Sequence, residues 1–168
     1  MNQNRLTEEI ILACEGDLDR LLEIYEIAKA YMRKNGNTKQ WNGAYPDRET
    51  LREDIANERL YVYKVNGEVH GVFVLLMEEE STYRYIEGGQ WLNEEPYGTI
   101  HRIAGDGSGG VLAAAVAFGK TKIDHIRIDT HHDNKIMQRA IANQGFCRSG
   151  IIYLEDGSPR IAYDLLPE

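Results

Sequence analysis

Two turn dipeptides constrain the fold of this chain more strongly than any other feature of its 168-residue sequence. Asn66-Gly67 and Asp156-Gly157 each lie between two runs of β-prone residues. Both residues of such a dipeptide tolerate a positive φ, which the tight turn between antiparallel strands requires. The sequence therefore predicts two β-hairpins. Their strands are residues 60–65 and 68–77 in the first hairpin, and residues 148–154 and 160–165 in the second.

Helical periodicity and further apolar runs complete the predicted order of elements. The predicted helices are one from Leu18 to Asn35, a shorter one opened by Asp47, residues 111–118, and one that begins near Asp133 or Asn134 and ends at Gly145. Further strands are predicted at residues 10–14, 99–104 and 125–130. Residues 78–97 are predicted to form a partly extended insertion. This order predicts an α/β (α+β) fold. A single domain over residues 1–168 would contain one mixed, largely antiparallel sheet flanked by helices.

The composition excludes several classes of protein. With 42% hydrophobic and 27% charged residues, the chain can bury a sizeable core. Acidic residues outnumber basic ones 27 to 19, and no basic cluster offsets the net charge of −8, which argues against a nucleic-acid partner. The longest apolar runs are shorter than the roughly 18 residues that a membrane span needs. No membrane partner is therefore expected either.

The N-terminus and the two cysteines bear on where the chain resides. The first residues lack the basic and then apolar pattern of a secretory signal, so a cytoplasmic location is expected. Cys14 and Cys147 are isolated in the sequence, without a second cysteine or a histidine at metal-binding spacing. They predict free, buried thiols rather than a disulfide or a zinc site.

Residues 105–110 form a glycine-rich loop, Gly-Asp-Gly-Ser-Gly-Gly, between a predicted strand and a predicted helix. Bare backbone N–H groups and the positive end of the helix dipole predict an anion-binding cradle there, although a flexible surface turn accounts for the glycines equally well. The loop also contains the G-x-G-x-x-G dinucleotide fingerprint, with Asp124 and Asp129 as ribose-binding candidates. Too few strand-helix units follow for that alternative. Ser108 does not fit a nucleophile elbow, since Asp106 replaces the first glycine of G-x-S-x-G.

Beyond this loop the order of segments resembles a known family. A strand at residues 126–130 is followed by Asn134-Lys135-Ile136-Met137 and then by Gly145-Phe146. From about residue 97 to residue 163 the arrangement resembles the GNAT superfamily of acyl-CoA-dependent N-acetyltransferases. The resemblance implies a GNAT-like fold and an enzyme that transfers the acetyl group of acetyl-CoA to a small-molecule amine by direct attack. The alternative function is that of a catalytically degenerate relative that senses an acyl-CoA. The oligomeric state is left open, with a homodimer as one option.

The family's loop pattern, Q/R-x-x-G-x-G/A, falls on residues 107–112 of this sequence. Gly110 matches the central glycine, whereas Gly107 and Leu112 depart from the pattern. By resemblance, the loop and the first helical residues would hold the pyrophosphate of CoA, a role that suits a glycine-lined helix N-terminus. These residues are Ser108, Gly109, Gly110, Val111, Leu112 and Ala113.

The resemblance also assigns residues to the pantetheine arm of CoA. Backbone groups of Arg102 and Ile103 would bind the amides of the arm, which pair in the manner of an added strand. Asn134 would contact the arm from the other side. As an isolated residue, Asn134 suits a helix N-cap even better.

Acetyl transfer requires a neutral amine and hence a base, because an alkylammonium has a pKa near ~10.4. His101 is the first candidate, since it lies on the strand before the glycine loop and imidazole titrates near neutral pH. Glu87 is the second, acting through water, although either residue would equally suit a structural or solvated position. Many family members carry a tyrosine acid seven residues after the motif asparagine, where this chain has Ile141. Tyr153 would then protonate the thiolate, or the thiolate would leave unassisted.

Three aromatic residues lie in loop-like stretches and predict either the lining of an acceptor pocket or packing over the core. They are Trp41, Tyr45 and Trp91. His131 and His132 lie next to Asp133. We predict no metal site there, because adjacent residues of a strand point to opposite faces.

Overall fold

The computed structural model describes residues 5–168, which form a seven-stranded sheet with helices on both faces. The helices are α1 (Leu18–Lys34), α2 (Arg48–Ala56), α3 (Val111–Lys120) and α4 (Lys135–Asn143). The strands are β1 (Glu8–Leu12), β2 (Leu60–Val65), β3 (Glu68–Leu76), β4 (Gly98–Gly105), β5 (Ile126–Thr130), β6 (Cys147–Tyr153) and β7 (Pro159–Leu165).

The strand order in the sheet is β1-β2-β3-β4-β5-β7-β6. Neighbouring strands are antiparallel except β4 and β5, which are parallel. Both predicted hairpins are present, as β2–β3 and β6–β7, and the first turn has a positive φ at Asn66 (51°) and at Gly67 (81°). The predicted mixed, largely antiparallel sheet flanked by helices is confirmed.

The two faces of the sheet bury different helices. Apolar residues of β3, β4, β5 and β7 pack against α3 and α4 on one face, with Ile141 of α4 fully buried there. Alternate residues of β2 and β3 pack against α1 and α2 on the other face. Because side chains alternate across a strand, Val72 and Val74 face α1 while Phe73 and Leu75 face α3. The sheet thus holds the two helix pairs on opposite sides of the strands that form the site.

The insertion is less extended than predicted. Residues 78–97 contain one 3₁₀ turn, Ser81–Tyr83, and a single bridge from Glu87 to Ile151 of β6. Their aromatic side chains hold the segment against the sheet by packing, where Tyr83 and Trp91 form a small core with Ile152. Aromatic burial therefore replaces strand pairing as the cause of order in this segment.

The prediction of buried thiols is wrong, because both cysteines are free and exposed. Cys14 follows β1 at the turn into α1, and Cys147 begins β6, the strand at the end of the sheet. Neither position is covered by another element. Within residues 5–168, none of the helices combines the length and the apolarity that crossing a membrane takes.

Candidate active site

A cleft opens where β4 and β5 stop pairing. The two strands pair only through Gly98 with Ile126 and Thr99 with Arg127, so they separate from Ile100 onward. The cleft has a volume of about 1230 Å³. Residues of β4 and β5 line it, and the α1–α2 loop, the segment after β3 and the β6–β7 hairpin enclose it. The divergence of one parallel strand pair thus opens this cleft in the sheet.

His101 lies on β4 in this cleft and pairs with Glu80. The distance between His101 Nε2 and Glu80 Oε2 is 2.8 Å, and the two side chains are 22% and 17% exposed. Thr82 donates to the other carboxylate oxygen from its backbone N–H at 3.2 Å and from its hydroxyl at 3.0 Å. The hydrogen bond with His101 lowers the pKa of Glu80 to about 2, although burial acts in the opposite direction. Glu80 is therefore a fixed, charged carboxylate that orients the imidazole.

A β-bulge gives β4 an irregular backbone next to His101. Between His101 and Ala104 the register against β3 shifts, so that Arg102 and Ile103 together oppose Phe73. Arg102 has a φ of 46°, in the left-handed region that residues other than glycine seldom occupy. A bulge leaves backbone groups without a partner in the ladder, so β4 offers hydrogen-bonding groups beside the cleft.

Side chains from both neighbouring helices hold this bulge. The hydroxyl of Tyr25 on α1 donates to the carbonyl oxygen of Arg102 at 2.6 Å, and burial raises the pKa of that hydroxyl. The Arg102 guanidinium donates to both oxygens of Asp54 on α2, at 2.9 and 2.7 Å. Asp54 is fully buried and also accepts from Arg59 at 2.8 Å. The Arg102 side chain and its carbonyl oxygen therefore have structural roles, and the binding of CoA by its backbone stays a prediction.

Asn134 is a helix cap that also lines the cleft, and its contact with CoA stays a prediction. Its side-chain oxygen accepts from the backbone N–H of Met137 at 3.0 Å, which makes it the N-cap of α4. Its side-chain nitrogen donates to Gln40 Oε1 at 2.9 Å, and the residue lines the cleft. The α1–α2 loop, through Gln40, thus reaches across the cleft to the α4 side.

The glycine loop ends at a helix that has no side-chain cap. Gly110 is the N-cap of α3 with φ 84°, and no side chain hydrogen-bonds to the first turn. In contrast, α2 and α4 are capped by Asp47 and Asn134. The first backbone N–H groups of a helix have no partner within the helix, so those of α3 are free for an anion.

Close packing fixes the start of α3 relative to the strands. A Cβ at Gly71 of β3 would lie 2.4 Å from Val111 Cγ2, and one at Gly105 would lie 3.0 Å from the same atom. Inside the loop, Asp106 accepts from Ser108 and contacts His70 at 2.7 Å. Burial raises the pKa of Asp106, but the hydrogen bonds from Ser108 and His70 outweigh this effect and hold the pKa at about 2.

The structure does not bring every predicted site residue to the cleft. Of the predicted cofactor residues, Arg102, Ile103 and Asn134 line it, whereas residues 108–113 form the turn and the first helical residues beyond the end of β4. The two other catalytic candidates, Glu87 and Tyr153, hydrogen-bond to each other on the exposed surface of β6, outside the cleft lining. The bridge between Glu87 and Ile151 keeps them there.

The three aromatic candidates divide in the same way. Trp41 and Tyr45 line the cleft. Trp91 does not: it is 9% exposed, donates from Nε1 to the carbonyl oxygen of Tyr83 at 2.8 Å, and lies under the Arg127 guanidinium, 3.9 Å from Cζ to the ring centroid. Trp91 is therefore a packing residue of the insertion, which corrects its assignment to the acceptor pocket.

Residues 131–133 are not part of a strand, contrary to the expectation from the sequence. These residues follow β5 in a turn, so they do not alternate across a strand, and the rings of His131 and His132 stack with centroids 4.4 Å apart. Side-chain ligand atoms of His131, His132 and Asp133 lie within 4.8 Å of one another. Burial lowers the pKa of His131, which favours its neutral form. The backbone N–H of Asp133 donates to His131 Nδ1 at 3.1 Å, so this ring nitrogen already has a partner. The absence of a metal stays a prediction.

Three residues of the cleft, and the buried carboxylate that holds two of its arginines, were not predicted from the sequence. They are Gln40, Glu80 and Arg160 in the cleft, and Asp54, which pairs with Arg59 and Arg102. Glu80 belongs to an acidic run that is typical of a solvated surface, and Asp54 lies on a helix whose charged residues mostly face solvent. Their partners are distant in sequence, so no local pattern signals them.

Comparison of the sequence with protein-family models and with curated proteins gives no match. Among solved structures, a GNAT-family acetyltransferase from Streptococcus agalactiae superposes with a TM-score of 0.84 at 29% identity, over 96% of both chains. An acetyltransferase candidate from Staphylococcus aureus Mu50 gives a TM-score of 0.67 at 27% identity, over 94% of this chain and 97% of that one.

The fold extends to a more distant enzyme as well. The ribosomal-protein-S18-alanine N-acetyltransferase of Escherichia coli gives a TM-score of 0.60 at 13% identity, over 95% of this chain and 93% of that one. At such an identity the likeness concerns the fold alone. The sheet order, the parallel β4–β5 pair and these likenesses together show that the chain has the GNAT fold, and they support its membership of the GNAT superfamily.

Proposed function

We propose that this protein is an N-acetyltransferase that transfers the acetyl group of acetyl-CoA to the amine of a small acceptor. The observation that carries the proposal is the His101–Glu80 pair, which lies in the cleft beside the irregular backbone of β4. The GNAT fold of the solved relatives supports the same reaction class.

The donor side of the cleft has the chemistry that acetyl-CoA needs. The free N–H groups at the start of α3 suit the pyrophosphate, and Gly110, which has a φ of 84° and no Cβ, leaves its backbone open to close approach. The edge of β4 that faces away from β3 lacks a partner beyond Thr99, so it offers peptide groups to the amides of pantetheine. Asn134 lines the opposite side.

The acceptor side supplies the proton transfer. Because Nε2 of His101 faces the Glu80 carboxylate, Nδ1 is the ring nitrogen that is left to take a proton from the acceptor ammonium. The neutral amine nitrogen then attacks the thioester carbonyl carbon, forming the C–N bond. Backbone N–H groups at the bulge of Arg102 and Ile103 are the candidate donors to the developing oxyanion.

Collapse of the tetrahedral intermediate breaks the carbon–sulfur bond and releases the CoA thiolate. Ile141 is fully buried in the core beneath α4, so this helical position supplies no acid. Tyr153 lies outside the cleft. The thiolate therefore leaves without an acid at position 141 or Tyr153, as a CoA thiol of ordinary pKa near 8.5 allows. It takes the second proton of the attacking nitrogen, directly or through water, and the protonated His101 releases the first proton to solvent.

Calorimetry with acetyl-CoA and, separately, with NAD tests the donor assignment. We expect saturable binding of acetyl-CoA and none of NAD. Gly110→Asp should weaken acetyl-CoA binding by about tenfold or more, because its carboxylate caps α3 and repels the pyrophosphate.

The matched control is Gly36→Asp, which adds the same charge at a glycine of the same φ, +84°, in open space after α1. It should bind acetyl-CoA as the wild type does. Equal affinity in the two variants would overturn the phosphate cradle. Binding of acetyl-CoA without turnover of any amine would favour the sensor alternative.

A further inference from the structure

Three arginines line the cleft, and only one of them lacks a carboxylate partner. Arg59 and Arg102 both pair with Asp54, at 2.8 and 2.7 Å. Within residues 5–168, Arg160 makes hydrogen bonds to neutral oxygens only, and no carboxylate lies within 4.0 Å of its guanidinium. Lys39 also lines the cleft but is exposed to solvent. Arg160 is thus the one buried arginine of the described cleft that no carboxylate contacts, and Asp129 and Asp156 act on it only from a greater distance.

The surroundings of Arg160 leave part of its guanidinium unused. The residue is 5% exposed and lies at the start of β7. Nη1 donates to the carbonyl oxygen of Pro159 at 2.8 Å and to Ser158 Oγ at 3.4 Å, and Nη2 donates to the carbonyl oxygen of Gln40 at 3.2 Å. Nε has no acceptor among the described residues. A charge that is removed from water without a counter-ion is costly, so a bound anion would relieve that cost.

We infer that Arg160 binds a carboxylate of the acceptor, so that the substrate is an aminocarboxylate with a free amine at one end and a carboxylate at the other. This inference rests on the proposed acetyl transfer. Arg160 lies on β7 and His101 on β4, and both strands flank β5. An extended acceptor that crosses β5 would therefore present its amine to His101 and its carboxylate to Arg160.

The charge around the cleft favours a carboxylate over a phosphate. Five further carboxylates line it besides Glu80, so a dianion would meet strong repulsion whereas a zwitterion would not. They are Glu78, Glu79, Asp129, Glu155 and Asp156. A planar guanidinium with free donors matches the two oxygens of a carboxylate. Asp129 lies on β5, the strand between His101 and Arg160, and accepts from the Tyr83 hydroxyl at 2.6 Å.

Matched pairs of acceptors test the inference. We would measure kcat/KM for β-alanine, γ-aminobutyrate and ε-aminocaproate and for the primary amide of each. For at least one chain length the acid should be preferred over its amide by about 10- to 100-fold, the usual effect of a hydrogen bond to a charged group. Arg160→Gln should reduce that preference to within about threefold and leave the amide nearly unchanged.

Two controls separate recognition from folding. Lys39→Gln removes an exposed cation of the same cleft and should keep the wild-type preference. Arg160→Lys keeps the positive charge but lacks the planar guanidinium, so it should retain part of the preference for acids over amides. This variant keeps the inference testable if Arg160→Gln does not fold. Acetyl-CoA affinity should be unchanged in all three variants.

Equilibrium binding keeps the inference testable without turnover. Calorimetry of the N-acetylated acids against the N-acetylated amides should show the same preference in the wild type and its loss in Arg160→Gln. Turnover of amides as efficiently as acids, or equal binding of both product types, would overturn the carboxylate site and leave acetyl transfer intact. Weaker acetyl-CoA binding in Arg160→Gln would instead assign Arg160 to the donor. Failure to acetylate any amine would contradict the proposed function alone.

Discussion

The His101–Glu80 hydrogen bond is formed before a substrate binds. Glu80 is fixed by Thr82, and its carboxylate lies 2.8 Å from the imidazole, so orientation costs little when the acceptor binds. A carboxylate next to the ring also stabilises the imidazolium that forms on proton transfer. His101 and Glu80 therefore act as one unit, and loss of either residue should affect the same kinetic step.

We expect His101→Ala to lower kcat/KM for a substrate amine by about 10²-fold or more, the range for a general base. Tyr153→Phe is the control, because its hydroxyl lies outside the cleft and bonds to Glu87. It should leave kcat within about threefold, since less than ~1 kcal/mol of barrier is then at stake. Steady-state kinetics of the two variants measure this, and unchanged activity in His101→Ala would contradict the assignment of the base.

Glu80 should also make stability depend on pH. Its pKa is about 2 in the folded chain against an ordinary 4.5, so the pair stabilises the fold above pH 4.5 and this contribution is lost as the pH falls toward 2. Between pH 6 and pH 3 the wild type should lose about 2 kcal/mol more of its unfolding free energy than Glu80→Gln does. Urea unfolding at both pH values measures this. Glu79→Gln, at an exposed neighbouring position, should lose as much unfolding free energy as the wild type. If Glu80→Gln also loses as much as the wild type between pH 6 and pH 3, Glu80 does not cause the pH dependence.

The sequence predicts residue roles only where a role follows from local context. His101 was predicted from its place on the strand before the glycine loop, and it lies in the cleft. Glu80 was missed, since its partner is 21 residues away and the acidic run around it is typical of solvent-exposed chain. For Trp91 the sequence left two roles open, pocket lining and packing, because it lies in a loop-like stretch. Its burial against Tyr83 and Arg127 depends on the fold of the whole insertion.

Among the elements, α3 owes its position to two glycines on the strands beneath it. Gly71 of β3 and Gly105 of β4 leave room for Val111, the first residue of the helix. Because the helix begins there, its free N–H groups are held at the end of β4. The anion cradle and the cofactor edge of β4 are thus coupled by packing.

We expect Gly71→Ala to destabilise the chain by about 1–3 kcal/mol, because its Cβ would lie 2.4 Å from Val111 Cγ2. Val111→Ala should cost stability by itself through lost burial. The double variant should lose less unfolding free energy than the two single variants lose in sum, because alanine at position 111 removes the clash. Chemical unfolding of the four proteins measures the coupling, and strict additivity would show that this contact does not fix α3.

Element boundaries were predicted well where turn chemistry is local. The Asn66-Gly67 turn sets the β2–β3 hairpin, and β2 has the predicted bounds of Leu60–Val65. Asp47 caps α2 and Asn134 caps α4, as their side chains suggest. The bulge at Arg102 was not predicted, because it depends on Tyr25 and on the buried Asp54, which lie far away in sequence.

For the whole molecule, one parallel strand pair in an otherwise antiparallel sheet creates the site. The β4–β5 connection runs through the glycine loop and α3, so the anion cradle, the free edge of β4 and the cleft adjoin one another. The sequence predicted the strands and the helix of this unit. The early divergence of β4 from β5 after Thr99 was not predicted, since strand separation arises from the packing of helices on both faces.

Mass spectrometry of the wild-type protein with acetyl-CoA and a panel of aminocarboxylates, amino amides and simple amines tests the central claim most directly. We predict an N-acetylated product for at least one amine, formed together with an equal amount of free CoA and lost in His101→Ala. Free CoA without an acetylated amine, or no reaction by a protein that binds acetyl-CoA, would contradict acetyl transfer in this cleft.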